Sequence, residues 1–206
     1  MRETATAVVV VDPAAPDAVA LARAAAVLRA GGLVAFPTET FYGLGAAAGD
    51  PAALRRVCAV KGRSESKPLL VLVDSIAMAE SLAAEVTPRA RELMGRHWPG
   101  PLTLVLRARP DLPPVLTAGT GTIGVRMSPH AVARGLVWAL GTPVTAPSAN
   151  REGGVPPTSA AQVLEALDGT IDLVVDGGPT AGGPASTVVD VTTGAALVLR
   201  AGAVAL

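Results

Sequence analysis

The chain is 206 residues long and half of it is hydrophobic, enough to bury a sizeable core, and its length sits at the upper end of what one domain usually holds. Seventeen basic side chains balance seventeen acidic ones, which excludes a global positive field able to hold nucleic acid by counterion release alone. One cysteine, Cys58, excludes an internal disulfide framework, and two histidines, His97 and His130, do not supply a usual zinc site, so no metal site of the protein's own is expected.

In chain order, Val8 to Val11 is a β-branched run closed by Asp12-Pro13 and reads as a buried strand. Glu3 and Asp12 stand where a signal peptide would be basic and apolar, and the apolar stretch around Ala18 to Leu28 is broken by Arg23 and too short to cross a bilayer. A cytoplasmic protein with no membrane partner is expected. Helical apolar spacing runs from Asp17 to Arg29 and stops at Gly31-Gly32, where glycine can take the left-handed C-terminal position. Leu33 to Phe36 is then a strand running into Pro37.

From Phe36 to Gly45 the string FPTETFYGLG reads as a strand end breaking into a loop, with Thr38 and its neighbours placed to bind a small polar ligand and Gly43 and Gly45 allowing close backbone approach. A capping residue followed by proline recurs at Asp50-Pro51, Thr87-Pro88 and Ser128-Pro129, and each pair predicts a helix start. Cys58 lies mid-helix among apolar neighbours and reads as a small buried hydrophobe rather than a nucleophile. Lys61-Gly62-Arg63 follows that helix. It has two readings: capping chemistry at a helix C-terminus, or, if the chain is extended there, two cations on one face forming a clamp for phosphate oxygens.

Leu69 to Val73, Leu102 to Leu106, Thr122 to Arg126, Val144 to Ala146 and Leu173 to Val175 are short apolar or β-branched runs between helical segments. The alternation predicts an α/β fold. Gly119, Gly121 and Gly124 satisfy G-x-G-x-x-G, but a proline-rich loop precedes them and a strand follows, the reverse of the order a dinucleotide site needs. Arg126 ends an otherwise apolar strand, where it meets either a protein carboxylate in a salt bridge or a ligand carboxylate. In Pro147 to Asn150 (PSAN) proline favours extension, which would turn Ser148 and Asn150 to one face. With Lys61 and Arg63 they would surround an α-phosphate losing pyrophosphate. Ser186, Thr187 and Arg200 repeat the pattern of a polar group where an apolar strand stops. Thr187 to Val191, the turn Thr192-Thr193-Gly194 and Ala196 to Leu199 read as two strands joined tightly, so the sheet should be mixed. Proline and glycine gather in loops at 110–121, 147–157 and 177–184, none with the length of an interdomain linker, and residues 1–206 are expected to form one domain.

With these residues assembled, the chain resembles the YrdC family of threonylcarbamoyl-adenylate synthases from about residue 15 onward. The matching strings are FPTETFYGLG, KGRSESKPL, WPGPLTLVL, GTIGVRM with His130, TAPSAN, and STVVDV followed by LRAG. The family's K-x-R and S-x-N pairs fall on Lys61, Arg63, Ser148 and Asn150. The resemblance implies a twisted mixed β-sheet with flanking helices around one deep basic cavity, and catalysis by those four residues. It implies threonine held by Thr38, Arg126, Ala146 and Ser186. ATP would be held by Lys61, Arg63, Thr122, Ser148, Asn150, Pro156 and Arg200, with Mg2+ accompanying the phosphates. Bicarbonate would be the third substrate, downstream tRNA threonylcarbamoyl transferase proteins the partners, and tRNA itself a weak ligand. The alternatives are a YrdC-like RNA-binding module and a carbamoyl-adenylate-forming domain of hydrogenase maturation. The sequence departs from the family pattern at Ser128, where proline is usual, and between Arg151 and Thr158. It ends soon after Arg200, which implies the single-domain form.

Overall fold

The computed structural model describes residues 5–206, and Glu3 lies outside them. The elements in chain order are β1 (Ala7–Val10), α1 (Ala18–Arg29), β2 (Val34–Pro37), β3 (Tyr42–Gly45), α2 (Pro51–Lys61), β4 (Val71–Leu72), α3 (Ile76–Leu82), β5 (Ala83–Glu85) and α4 (Pro88–His97). They continue with β6 (Leu102–Ala108), α5 (Pro114–Thr117), β7 (Thr122–Arg126), α6 (Ala131–Leu140), β8 (Val144–Thr145), α7 (Ala160–Leu167), β9 (Leu173–Asp176), β10 (Thr187–Asp190) and β11 (Leu197–Arg200). None of these helices is long and apolar enough to cross a membrane.

Two of the three predicted proline starts hold. Asp50 caps α2 by accepting from the Ala52 and Ala53 amides, and Thr87 caps α4 by accepting from the Ala90 amide at 3.1 Å, each with proline at the next position. The third does not. The hydroxyl of Ser128 is engaged with Glu39, so the helix starts later, at Ala131, with His130 Nδ1 accepting the Val132 amide at 3.3 Å.

The strands form two mixed sheets, one ordered β1-β9-β2-β3 and one β11-β10-β6-β7-β4-β8 with β5 on the side of β6. β9 runs parallel to both β1 and β2, while β2 and β3 are antiparallel, pairing Val34 with Gly45 and Pro37 with Tyr42. In the larger sheet β6 is parallel to β10 and antiparallel to β7, and β4 is parallel to β7 and antiparallel to β8. The expected terminal hairpin is present as β10 and β11, antiparallel, with Gly194 at φ 82° in the turn.

Two strand readings are corrected. β1 is not buried: it closes one edge of its sheet, its residues alternate between half-buried and exposed, and Val10 is 77% exposed. The second half of FPTETFYGLG is not a loop but β3, the return strand of a hairpin. Gly45 is there for packing, since a Cβ on it would sit 2.8 Å from Phe36 Cε1 and 2.9 Å from Val144 Cγ1.

The two sheets meet along β3. Its outer edge pairs across to the segment after β8, with the Leu44 amide donating to Pro147 O at 2.7 Å, the Ala149 amide to Tyr42 O at 2.8 Å, and a bridge between Gly43 and Ser148. One apolar core, including Leu44, Leu54, Met94 and Leu104, lies beneath this junction; a second, including Leu28, Phe36, Leu136 and Val175, packs α1 and α6 onto the smaller sheet. The loops at the junction therefore stand on packed cores.

Candidate active site

A cavity of about 470 Å³ opens at the junction, within the range usual for small-molecule sites. Thr38, Lys61, Arg63, Thr122, Arg126, Ala146, Ser148, Pro156, Ser186 and Arg200 all line it. Four of these are cations, and no carboxylate is among the described residues of the lining. Asn150, singled out with them from the sequence, does not line it.

Lys61 is the last residue of α2 and only 4% exposed. Its ammonium donates to Ser148 O at 2.5 Å and Asn150 O at 2.7 Å, so the PSAN segment holds it from behind. Burial, and next the positive charge of Arg63, lowers its pKa to about 8, with Glu152 opposing. The extended chain on which the clamp reading depended is absent. Instead Gly62 takes a left-handed conformation at φ 63°, with its amide donating to Ala59 O and the Arg63 amide to Cys58 O at 2.9 Å. Lys61 and Arg63 share a wall because the chain reverses at that glycine. Capping chemistry and convergence of the two cations are the same structural event. Arg63 Nη2 donates to Pro68 O at 2.9 Å, and its Nε is buried with no partner.

The PSAN segment is not extended either. The Asn150 amide donates to Ser148 O at 2.9 Å, which closes a tight turn and separates the two side chains. Ser148 faces the cavity, while Asn150 turns back and donates from Nδ2 to Arg151 O at 2.8 Å and Gly154 O at 2.7 Å. Cys58 is buried as expected, and burial pushes its thiol pKa up.

Arg126 meets a protein carboxylate, lying 3.1 Å from a Glu39 oxygen, and it also lines the cavity. Burial pushes the guanidinium pKa down, Glu39 opposes this and Arg200 adds to it. On the far wall Arg200 donates from Nη2 to Ser186 O at 2.7 Å and to Ser186 Oγ at 3.1 Å, and Ser186 Oγ shares a 2.9 Å hydrogen bond with Thr103. Thr187 points away, donating to Val204 O at 2.7 Å. Thr38 Oγ1 donates to Phe41 O at 2.7 Å and shapes the turn into β3. Sequence reasoning missed Thr103 and Glu39. Thr103 is the one hydroxyl in the apolar run Leu102 to Leu106, and that isolation was its signal.

The cavity therefore offers two cationic stations, Lys61 with Arg63 and the deeply buried Arg126, with Arg200 on the far wall, suited to a ligand that carries both phosphates and a carboxylate. The Sua5_yciO_yrdC family model, described by the words telomere recombination, matches residues 26–202. The chain belongs to this family. Members similar to it include a threonylcarbamoyl-AMP synthase from Bacillus subtilis, 44% identical over 89% of this chain and 54% of the relative. Another, from Thiobacillus denitrificans, is 39% identical over 85% of this chain and 92% of the relative. The structure of Pyrococcus abyssi Sua5 complexed with L-threonine aligns with a TM-score of 0.92 at 43% identity, covering 96% of this chain and 58% of that one. The chain thus spans about half the length of the Bacillus and Pyrococcus relatives. The mixed α/β architecture expected from the sequence is that of this family.

Proposed function

We propose that this chain is an L-threonylcarbamoyladenylate synthase of the cytoplasm. It condenses L-threonine, bicarbonate and ATP to threonylcarbamoyl-AMP and pyrophosphate, for use by downstream proteins that modify tRNA. The observation that carries the reading is one cavity lined both by Lys61, Arg63 and Ser148 and by Arg126. The names of the relatives support it. So does the threonine-bound state of the Pyrococcus structure.

The unprotonated threonine amine attacks the carbon of bicarbonate, with water leaving, or that of dissolved carbon dioxide, with a proton released from the nitrogen, and either route gives a carbamate. A carbamate oxygen then attacks the α-phosphorus of ATP as the bond to the β-phosphate oxygen breaks and pyrophosphate leaves. Holding three reactants together removes translational entropy, and the Lys61 and Arg63 charges offset the negative charge that builds on the phosphates. Arg126, with Thr38, Ala146 and Ser186, takes threonine. Thr122, Ser148, Pro156 and Arg200 complete the nucleotide wall, and Asn150 acts on it through Lys61. Among the described residues no cluster of His, Cys, Asp and Glu could hold a metal. Mg2+ fits as part of the nucleotide substrate, carried by its phosphates.

The test is to incubate the protein with ATP, bicarbonate and threonine, omit each in turn, and follow pyrophosphate release. Strict dependence on threonine supports the synthase. Turnover driven by carbamoyl phosphate, or no release with all three present, overturns it.

A further inference from the structure

Arg126 carries a full charge into a site where it is 3% exposed, yet its charged partner meets it only in part. Glu39 Oε1 lies 3.1 Å from Nη1 without hydrogen-bond alignment, so that oxygen has no hydrogen-bond partner, and neither has the buried Arg126 Nε. Thr40 Oγ1 adds a long 3.5 Å contact to Nη1. A buried guanidinium this poorly satisfied is costly unless something else completes it.

The misalignment has a visible cause. Glu39 Oε2 accepts the hydroxyl of Ser128 at 2.5 Å, and Ser128 Oγ in turn accepts the His130 amide at 3.2 Å. With its acceptor side occupied by that amide, the fully buried hydroxyl has its proton directed at Glu39. The carboxylate is anchored through Oε2, the oxygen that does not face Nη1, and is not free to swing into a two-pronged pair with Arg126. Neither Ser128 nor Glu39 lines the cavity, whereas Arg126 does.

We propose that Ser128 and Glu39 are positioning residues that hold Arg126 in a half-satisfied geometry aimed at the carboxylate of the amino-acid substrate. This inference rests on the synthase reading. Glu39 keeps the guanidinium charged and in place; Ser128 keeps Glu39 from saturating it. Without the Ser128 hydroxyl, Glu39 can rotate to satisfy Arg126 fully, and the substrate carboxylate then has to compete for it.

Steady-state kinetics test this. Ser128→Ala should raise KM for threonine about tenfold, the scale of one hydrogen bond to a charged group, with KM for ATP and kcat at saturating threonine within about twofold. Ser128→Thr, which keeps the hydroxyl, should stay near wild type, and Ser128→Cys, of similar volume but a weaker donor, should behave like the alanine variant. Threoninamide, which lacks the carboxylate, should inhibit wild type and Ser128→Ala equally. An unchanged threonine KM in the alanine and cysteine variants overturns the proposal. So does a rise in both KM values together with a fall in kcat, the pattern of general damage. A wild-type protein that ignores threonine sinks the synthase reading as well; an active wild type with an unchanged Ser128→Ala sinks only this inference.

Discussion

At the scale of single residues, the Lys61 ammonium is held at a cost. It is buried beside another cation, with two backbone carbonyls as its hydrogen-bond partners. A phosphate would relieve that cost, which is why removing the charge should hurt turnover more than it hurts folding. Lys61→Ala or Arg63→Ala should slow pyrophosphate release at least about a hundredfold, by comparison with the loss of other preorganised donors. The pH dependence has a definite sign. The folded pKa of Lys61 is about 8, below its ordinary value, so between that pH and about 10.5 the unfolded chain binds more protons. The Lys61 contribution to stability of the ligand-free protein therefore rises through this window and is lost again as the pH falls to 8. Nucleotide affinity runs the other way, because phosphate favours the charged amine: Kd for ATP should climb above pH 8, by up to about tenfold per unit, with proton uptake on binding. Calorimetry in two buffers of different ionisation enthalpy measures that uptake; a Kd flat from pH 8 to 10 would remove Lys61 from the phosphate site. At this scale the chemistry was legible in the sequence because residue types carry it. The aim of the side chains was not. The clamp at Lys61 and Arg63 and the facing of Ser148 and Asn150 were both made to depend on extended chain, and in both the backbone turns instead, at Gly62 and between Ser148 and Asn150.

Elements were legible where local signals agree with tertiary packing. The Asp50 and Thr87 starts and the β10–β11 turn need only capping and glycine chemistry, and they stand where predicted. β3 was hidden because Gly43 and Gly45 look like strand breakers, while the reason for Gly45 lies in Phe36 and Val144, the latter about a hundred residues away. The Ser128 start failed for a related reason: the cap hydroxyl had a distant carboxylate to serve. The end of α2 is the element on which the site turns. Gly62 has open space where a Cβ would go but a left-handed backbone, so the cost of Gly62→Ala is conformational rather than steric. It should lower the unfolding free energy by about 1–2 kcal/mol in chemical denaturation. Turnover should fall further than that loss implies, because relaxing the turn re-aims both cations. A variant that loses stability but keeps wild-type kcat and KM for ATP would show that the turn does not position the clamp.

For the whole molecule, the cavity is a property of how two sheets are joined rather than of either one. Thr38 and Gly43 come from the smaller sheet's hairpin, Thr103, Thr122 and Arg126 from the middle of the larger sheet, and Ser186 and Arg200 from its edge. No local pattern brings residues 38, 126 and 200 together; only the resemblance of the whole chain to a family anticipated it. A ligand touching all these walls stabilises the folded chain by mass action, as long as it does not bind the unfolded one. At about a hundred times Kd the gain is about 2.7 kcal/mol, which for a chain of this size raises the melting temperature by roughly 5–10 °C. ATP and threonine should each give a shift in a thermal melt, and the two stations make the shifts separable. Arg63→Ala should abolish most of the ATP shift while preserving that of threonine, and Ser128→Ala, with threonine binding about tenfold weaker, should about halve the threonine shift while preserving that of ATP. If Arg63→Ala erased both shifts, its role would lie in holding the junction together, and the phosphate station would have to be sought on another wall.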